Sequence, residues 1–411
     1  MASLSDNNEI INKTAFFGAL CLFFATLEYL FPRPVPFFRL GLANLPILLA
    51  IEVLPFPYLL LLGLLKVLGQ GLIHGTLASY VVLFSFCGTF SSLFVMYGAK
   101  RMPGLSYLGV SVLGAMVSNT VQVGLSLLLV FGTNAALIIP YFFTLGLVSG
   151  AGIGVFANWF SSGSAWYAAQ RGETVPAVTG RENATVQASG DAPVKKGRKK
   201  RKDRLAGLLL PGQRFFLGLG LLIPLVFQDA LYLRILHVTL LAILCVLAGK
   251  RLSWLYFINL IFWITLFQQL SPFGKVLAQI GPFSVTRGAL EAGIGKSFLL
   301  IGLVFTSLFS VTPGLRLPGK LGGIVGRMFF YFEELYQGKH RIRRKTFLKD
   351  VDQLLHEAGT QPLDRDAEIP AAVPLSREGD LQKKKTGLVC VAIVLIVFYS
   401  VWAAGFLHLF Q

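Results

Sequence analysis

The 411-residue sequence is short of charge: 14% of it is Asp, Glu, Lys or Arg, against 54% hydrophobic. That balance excludes an ordinary soluble domain. Acidic residues are the scarcer sign, 20 against 37 basic. Aspartate-rich motifs that would hold magnesium ions on a diphosphate are missing, and "DVDQL" (Asp350 to Leu354) does not supply them. The five histidines, His74, His237, His340, His356 and His408, fall into no metal-binding spacing. The four cysteines, Cys21, Cys87, Cys245 and Cys390, all lie in apolar runs, where a thiol is a small hydrophobe, so neither a disulfide nor a metal centre is expected. "LEAGIGKSF" ends like a nucleotide-binding loop, but the position five before Gly295 is Leu290, where that loop needs glycine. Lys296 is read instead as the external end of a membrane span. No self-contained catalytic constellation remains, and the chain is not expected to be an enzyme alone.

Long apolar runs are what the sequence has. Eleven candidate spans lie near 14–31, 40–54, 57–74, 79–98, 107–131, 136–160, 213–229, 231–248, 252–270, 294–312 and 387–409. The expectation is an all-α polytopic membrane protein with two bundles and a cytoplasmic helical insert. The first run has no A-x-A-like cleavage site and ends at Glu28 before Pro-rich sequence, so it reads as a true span.

The net charge of +17 reports topology rather than nucleic-acid binding, because the basic residues sit between spans without interleaved stacking aromatics. Eight of the ten residues from Lys195 to Arg204 are basic, and further clusters stand at Lys100-Arg101, Lys250-Arg251, His340 to Lys345 and Lys383 to Lys385. All fall on one side of the span count. The positive-inside rule makes that side cytoplasmic, with the N-terminus inside and the C-terminus external. The same charges attract anionic lipid.

The composition divides the chain into an N-terminal membrane domain (1–160), a basic cytoplasmic linker (161–206) and a C-terminal membrane domain (207–411) with an insert at 316–385. The linker shows no helical period, and the sequon Asn183-Ala184-Thr185 within it is on the wrong side for glycosylation. The insert begins with apolar and basic residues at helical spacing, expected as surface or coupling helices.

Polar groups inside apolar spans are costly, which makes them functional candidates. They are Asn44 and Glu52 in span two, Lys66, Gln70 and His74 in span three, and Asn119 and Gln122 in span five. Spacing by four puts Lys66, Gln70 and His74 on one helical face. Gln70, His74 and Gln122, with Glu28 and Arg39, are expected in the outer half, under the external loop "FPRPVPFFRLGLANLP" (Phe31 to Pro46), whose prolines would let it close without refolding. Arg39, Lys66 and His74 favour a ligand of negative or hydrogen-bond-accepting character. The packing alternative pairs Glu52 with Lys66 or lipid headgroups and makes Asn119 and Gln122 interhelical glue. Small residues recur at four-residue spacing at Ala15 and Ala19, and at Gly146, Gly150 and Gly154, forming flat faces for helix packing or for docking a second module.

The segments "PVPFFRLGLANLPILLAI", "LLKVLGQGLIHGTL" and "LGVSVLGAMVSN", with the Gly-rich sixth span, resemble the Gx transporter family, also labelled heptaprenyl diphosphate synthase component I, over residues 12–160. That family is similar to the six-helix S components of energy-coupling-factor transporters, in which an A-x-x-x-A face docks the T component. The resemblance assigns that docking to Ala15 and Ala19. The second half more loosely resembles a T component. This implies ABC-type ATPase partners gripped near Arg327, Arg341 and Arg343, with ATP on those subunits only and no covalently bound cofactor. The expected function is capture of a small vitamin- or cofactor-like molecule at the plasma membrane. The alternatives are a noncatalytic component of a polyprenyl diphosphate synthase and a scaffold for a flavin or redox assembly.

Overall fold

The structure is a computed structural model that describes residues 2–28, 41–77, 79–132, 139–173, 203–281, 283–312, 319–338, 346–360 and 377–407. Arg39, Arg341 and Arg343, and most of the Pro-rich loop, lie outside the described residues. Fourteen α-helices and one β-hairpin make up the described secondary structure. The N-terminal set is α1 (Ala2–Glu28), α2 (Leu45–Ala50), α3 (Phe56–His74), α4 (Tyr80–Lys100), α5 (Tyr107–Ser126) and α6 (Ile139–Gly163). After α7 (Ala165–Gln170) come α8 (Pro211–Val226), α9 (Leu231–Leu247) and α10 (Trp254–Gln269). The hairpin β1 (Val276–Ile280) and β2 (Phe283–Thr286) leads into α11 (Arg287–Ser310), followed by α12 (Gly319–Gly338), α13 (Phe347–Thr360) and α14 (Arg377–Leu407).

Seven of the described helices are long and apolar enough to cross a bilayer: α1, α3, α4, α5 with the π-helical turn that extends it, α6, α11 and α14. The chain is an all-α polytopic membrane protein. Two expectations change. The second span is only six residues of α-helix, because Gly41 sits in the left-handed region at φ 81°, Pro46 opens α2, and the helix breaks before Pro55. All six α2 residues are buried among α1, α3, α5 and α6, which is where short, broken helices are tolerated at membrane depth. Lys296 is not a helix end: α11 begins at Arg287, and the whole "LEAGIGKSF" stretch is helical.

Close packing follows the small residues. Gly146, Gly150 and Gly154 lie against α5: a Cβ on Gly154 would sit 2.5 Å from Leu108 Cα, and one on Gly150 3.1 Å from Val112 Cα. This flat face therefore packs within the fold.

On α1, Asn12 Oδ1 accepts a 2.7 Å hydrogen bond from Arg327 of α12, and the Phe16 ring meets Tyr331 edge-on at 5.3 Å. A Cβ on Gly18 would lie 3.1 Å from Met328 Sδ. At 100° per residue, Ala15 and Ala19 fall inside the arc these three define, and both are fully buried. The Ala face of α1 thus packs on the amphipathic insert helix α12. Arg327, expected to grip an ATPase, makes this contact through one guanidinium nitrogen.

The linker's first part is more ordered than its composition suggested. The Ser164 side chain caps α7, Trp166 packs at a tilt against Phe16 and Phe17, and Tyr167 donates to Leu49 O at 2.8 Å. Asp352 of α13 accepts from Ser164 Oγ at 2.5 Å and from Ala165 N at 2.8 Å, joining insert to linker. Beside it, Glu52 pairs with Lys100 at 2.6 Å and Arg171 at 3.4 Å and accepts from Tyr107, rather than from Lys66. Burial works against ionisation of Glu52, but the hydrogen bonds from Lys100 and Tyr107 outweigh it and hold the carboxyl below its ordinary range.

Two apolar cores result, and they do not follow the sequence division. One joins α1–α7 to α12 and α13; the other joins α8–α11 and α14 to the ends of α4, α5 and α6 around Tyr80, Phe84, Val130, Phe131 and Phe142.

Candidate functional site

A cavity of about 620 Å³ opens in the N-terminal helices, and six of the seven expected binding residues line it: Asn44, Lys66, Gln70, His74, Asn119 and Gln122. The seventh, Arg39, lies outside the described residues. Lys66 is 5% exposed; its ammonium donates to Asn44 Oδ1 and, at 3.0 Å, to Thr89 Oγ1. The helical face predicted for Lys66, Gln70 and His74 is real, and Gln70 also accepts from Ser85 at 3.4 Å. Asn119 Nδ2 donates to Phe142 O at 2.7 Å and so ties α5 to α6, whereas Gln122 Nε2 donates to Ser118 Oγ at 3.0 Å one turn back on α5 itself.

Sequence reasoning missed two groups of lining residues. Serines 92, 111, 118 and 149 and Thr89 add hydroxyls to the wall. Hydroxyls attract little notice in an apolar helix, since they can be satisfied by a carbonyl one turn back. The second group, Arg251, Ser253, Tyr256, Phe257, Asn259, Val304 and Leu308, comes from the C-terminal helices.

That second group extends the cavity beyond the N-terminal helices. Arg251 was assigned to the cytoplasmic side and His74 to the outside, yet they line one cavity. A Cβ on Gly75, one residue past α3, would lie 3.8 Å from Leu308 Cα, close to the opposite-side end of α11. Two upright bundles would hold these points about 30 Å apart. At the other end, Gln268 donates to Val130 O at 3.3 Å and the Phe131 ring packs at a tilt against Phe267 with centroids 4.9 Å apart, so there the C-terminal ends of α5 and α10 do meet. The ends of α3 and α5 at His74 and Phe131 therefore face the flank of α10 and α11 at points far apart along its height. The N-terminal helices are tilted against the C-terminal ones, and the cavity opens onto α10–α11.

This defines a polytopic membrane protein with a polar, partly enclosed cavity between two helical groups. Residues 17–160 match the family described as Heptaprenyl diphosphate synthase component I, and residues 211–312 match a Domain of unknown function (DUF8519). The first match spans all the cavity positions named above on α3–α6. No curated protein and no solved structure matches the chain.

Proposed function

We propose that the protein is a membrane transport component that captures a small polar molecule and moves it by tilting its N-terminal helices against a C-terminal scaffold. The carrying observation is the cavity: a buried cation, five carboxamides and a row of hydroxyls converge at membrane depth, where polar side chains are retained at a cost. The domain division expected from sequence (1–160, 161–206 and 207–411) serves this reading, with the linker as tether. Capture occurs with the N-terminal helices upright and the cavity facing outward; the tilted arrangement described above brings the cavity against α10–α11 for release. Such movement keeps backbone hydrogen bonds inside packed helices throughout.

The contact between α1 and α12 supports the docking role given to Ala15 and Ala19. In this reading the face of α12 and α13 away from α1 receives ABC-type ATPase subunits that supply the energy, and Arg341 and Arg343, outside the described residues, remain the candidate contacts. The protein would sit in the plasma membrane with its N-terminus cytoplasmic and its C-terminus external.

A second reading is favoured by the family match itself: a noncatalytic membrane subunit of a polyprenyl diphosphate synthase. Affinity purification of the intact chain in mild detergent, with mass spectrometry of bound proteins, separates the two. ATPase subunits support transport. A prenyltransferase subunit without any ATPase supports the synthase reading and overturns the transport one.

A further inference from the structure

Among the described residues, Glu28 and Ser92 on the cavity wall each carry a buried side-chain oxygen with no hydrogen-bond partner. Glu28, the last residue of α1, is 5% exposed and its Oε1 is unpaired; Ser92 on α4 is 1% exposed and its Oγ is unpaired. A buried carboxylate left in this way is strongly unfavourable, so the site is incomplete without a donor. Ser92 lies one turn from Thr89, which already receives the Lys66 ammonium, so its hydroxyl extends the Lys66 end of the cavity.

The two ends are separated by a definite length. A Cβ on Gly18 would be 3.6 Å from Leu65, and one on Gly69 would be 2.8 Å from Leu22, so α1 and α3 run parallel with 18 beside 65 and 22 beside 69. Continuing that register sets Glu28 level with the end of α3 at His74. Lys66 lies two turns deeper, about 12 Å along the helix.

We infer that the ligand is amphoteric: a cationic or N–H donor group reaches Glu28, and an anionic or acceptor group about 12 Å away reaches Lys66, Thr89 and Ser92. This rests on the proposed ligand-binding role of the cavity. It selects against a polyprenyl chain on chemistry, since hydrocarbon offers Glu28 no donor.

The test uses the full-length protein purified in mild detergent, incubated with a water-soluble whole-cell extract, washed, and analysed by mass spectrometry for retained molecules. The wild type should retain a compound carrying both a basic or N–H donor group and an acidic group. Glu28→Gln, which keeps shape but removes charge, should lower its retention at least about tenfold. Ser92→Ala, which leaves no partner unpaired, should lower it by about threefold. Equal elution profiles establish that the variants fold. Retention of a compound without a donor group, or retention indifferent to Glu28→Gln, overturns the inference while keeping the binding cavity. Retention of a prenyl diphosphate overturns it in favour of the synthase reading. If the wild type retains nothing, the binding cavity falls as well.

Discussion

Replacing Gly18 with Leu tests how the N-terminal helices are held. A Cβ at this position meets Met328 Sδ at 3.1 Å and Cγ at 3.2 Å, with Leu65 Cβ at 3.6 Å behind. Leucine adds three further carbons to that crowded seam. Overpacking of this kind costs about 1–3 kcal/mol. A cost of that size changes the ratio of docked to undocked α1 by roughly 5- to 150-fold. The assay is bridging of Asn12→Cys and Arg327→Cys by a short bifunctional thiol reagent, which spans the gap left by the hydrogen-bonded side chains they replace, in a background with Cys87 and Cys390 changed to Ser. Cross-linking in membranes should slow at least about fivefold with Gly18→Leu. Adding Met328→Ala should restore it, because that side chain is the one displaced. Unchanged cross-linking with Gly18→Leu, or no rescue by Met328→Ala, would refute the α1–α12 seam.

Other perturbations read different parts of the fold. Gly146→Ala drives a methyl into the Asn119 carboxamide, which donates to Phe142 O, and should cost about 1–3 kcal/mol and lower ligand retention, measured by thermal unfolding and binding. Asp352→Ala removes the acceptor at the start of α7 and should destabilise that contact by about 0.5–2 kcal/mol, seen as faster tryptic cleavage near Arg171. The Glu52 carboxyl, held below its ordinary value of 4.5, contributes stability that is complete above that value and is lost as pH falls through its lower folded pKa. The melting temperature of the wild type should therefore drop on acidification below about pH 4.5, and Glu52→Gln should flatten that part of the curve.

The class of fold was legible because apolar runs of spanning length have few other meanings. The cavity residues were legible for a related reason: Lys66, Gln70, His74 and Asn119 are expensive in hydrocarbon, and spacing by four places the first three together. Arg251 was not, since one basic residue beside Lys250 reads as a topology marker; only the tilt of the helices brings it to the cavity. The short α2 escaped notice because hydropathy alone does not register how Pro46 and Pro55 cut the helix. The buried Trp166 and Tyr167 were hidden in a stretch whose small and polar neighbours masked an anchor only six residues long. Strands β1 and β2 fell between two spans in a window tuned to helices.

The central claim is that the cavity of the N-terminal helices opens against α10–α11. Its most direct test pairs Gly75→Cys with Leu308→Cys, positions whose Cβ and Cα lie 3.8 Å apart. The account predicts a disulfide on mild oxidation of membranes, with ligand trapped or excluded once it has formed. Failure to cross-link, even with a short bifunctional thiol reagent, while the Asn12→Cys and Arg327→Cys pair still joins, would place the two ends on opposite sides of the bilayer and contradict the tilt.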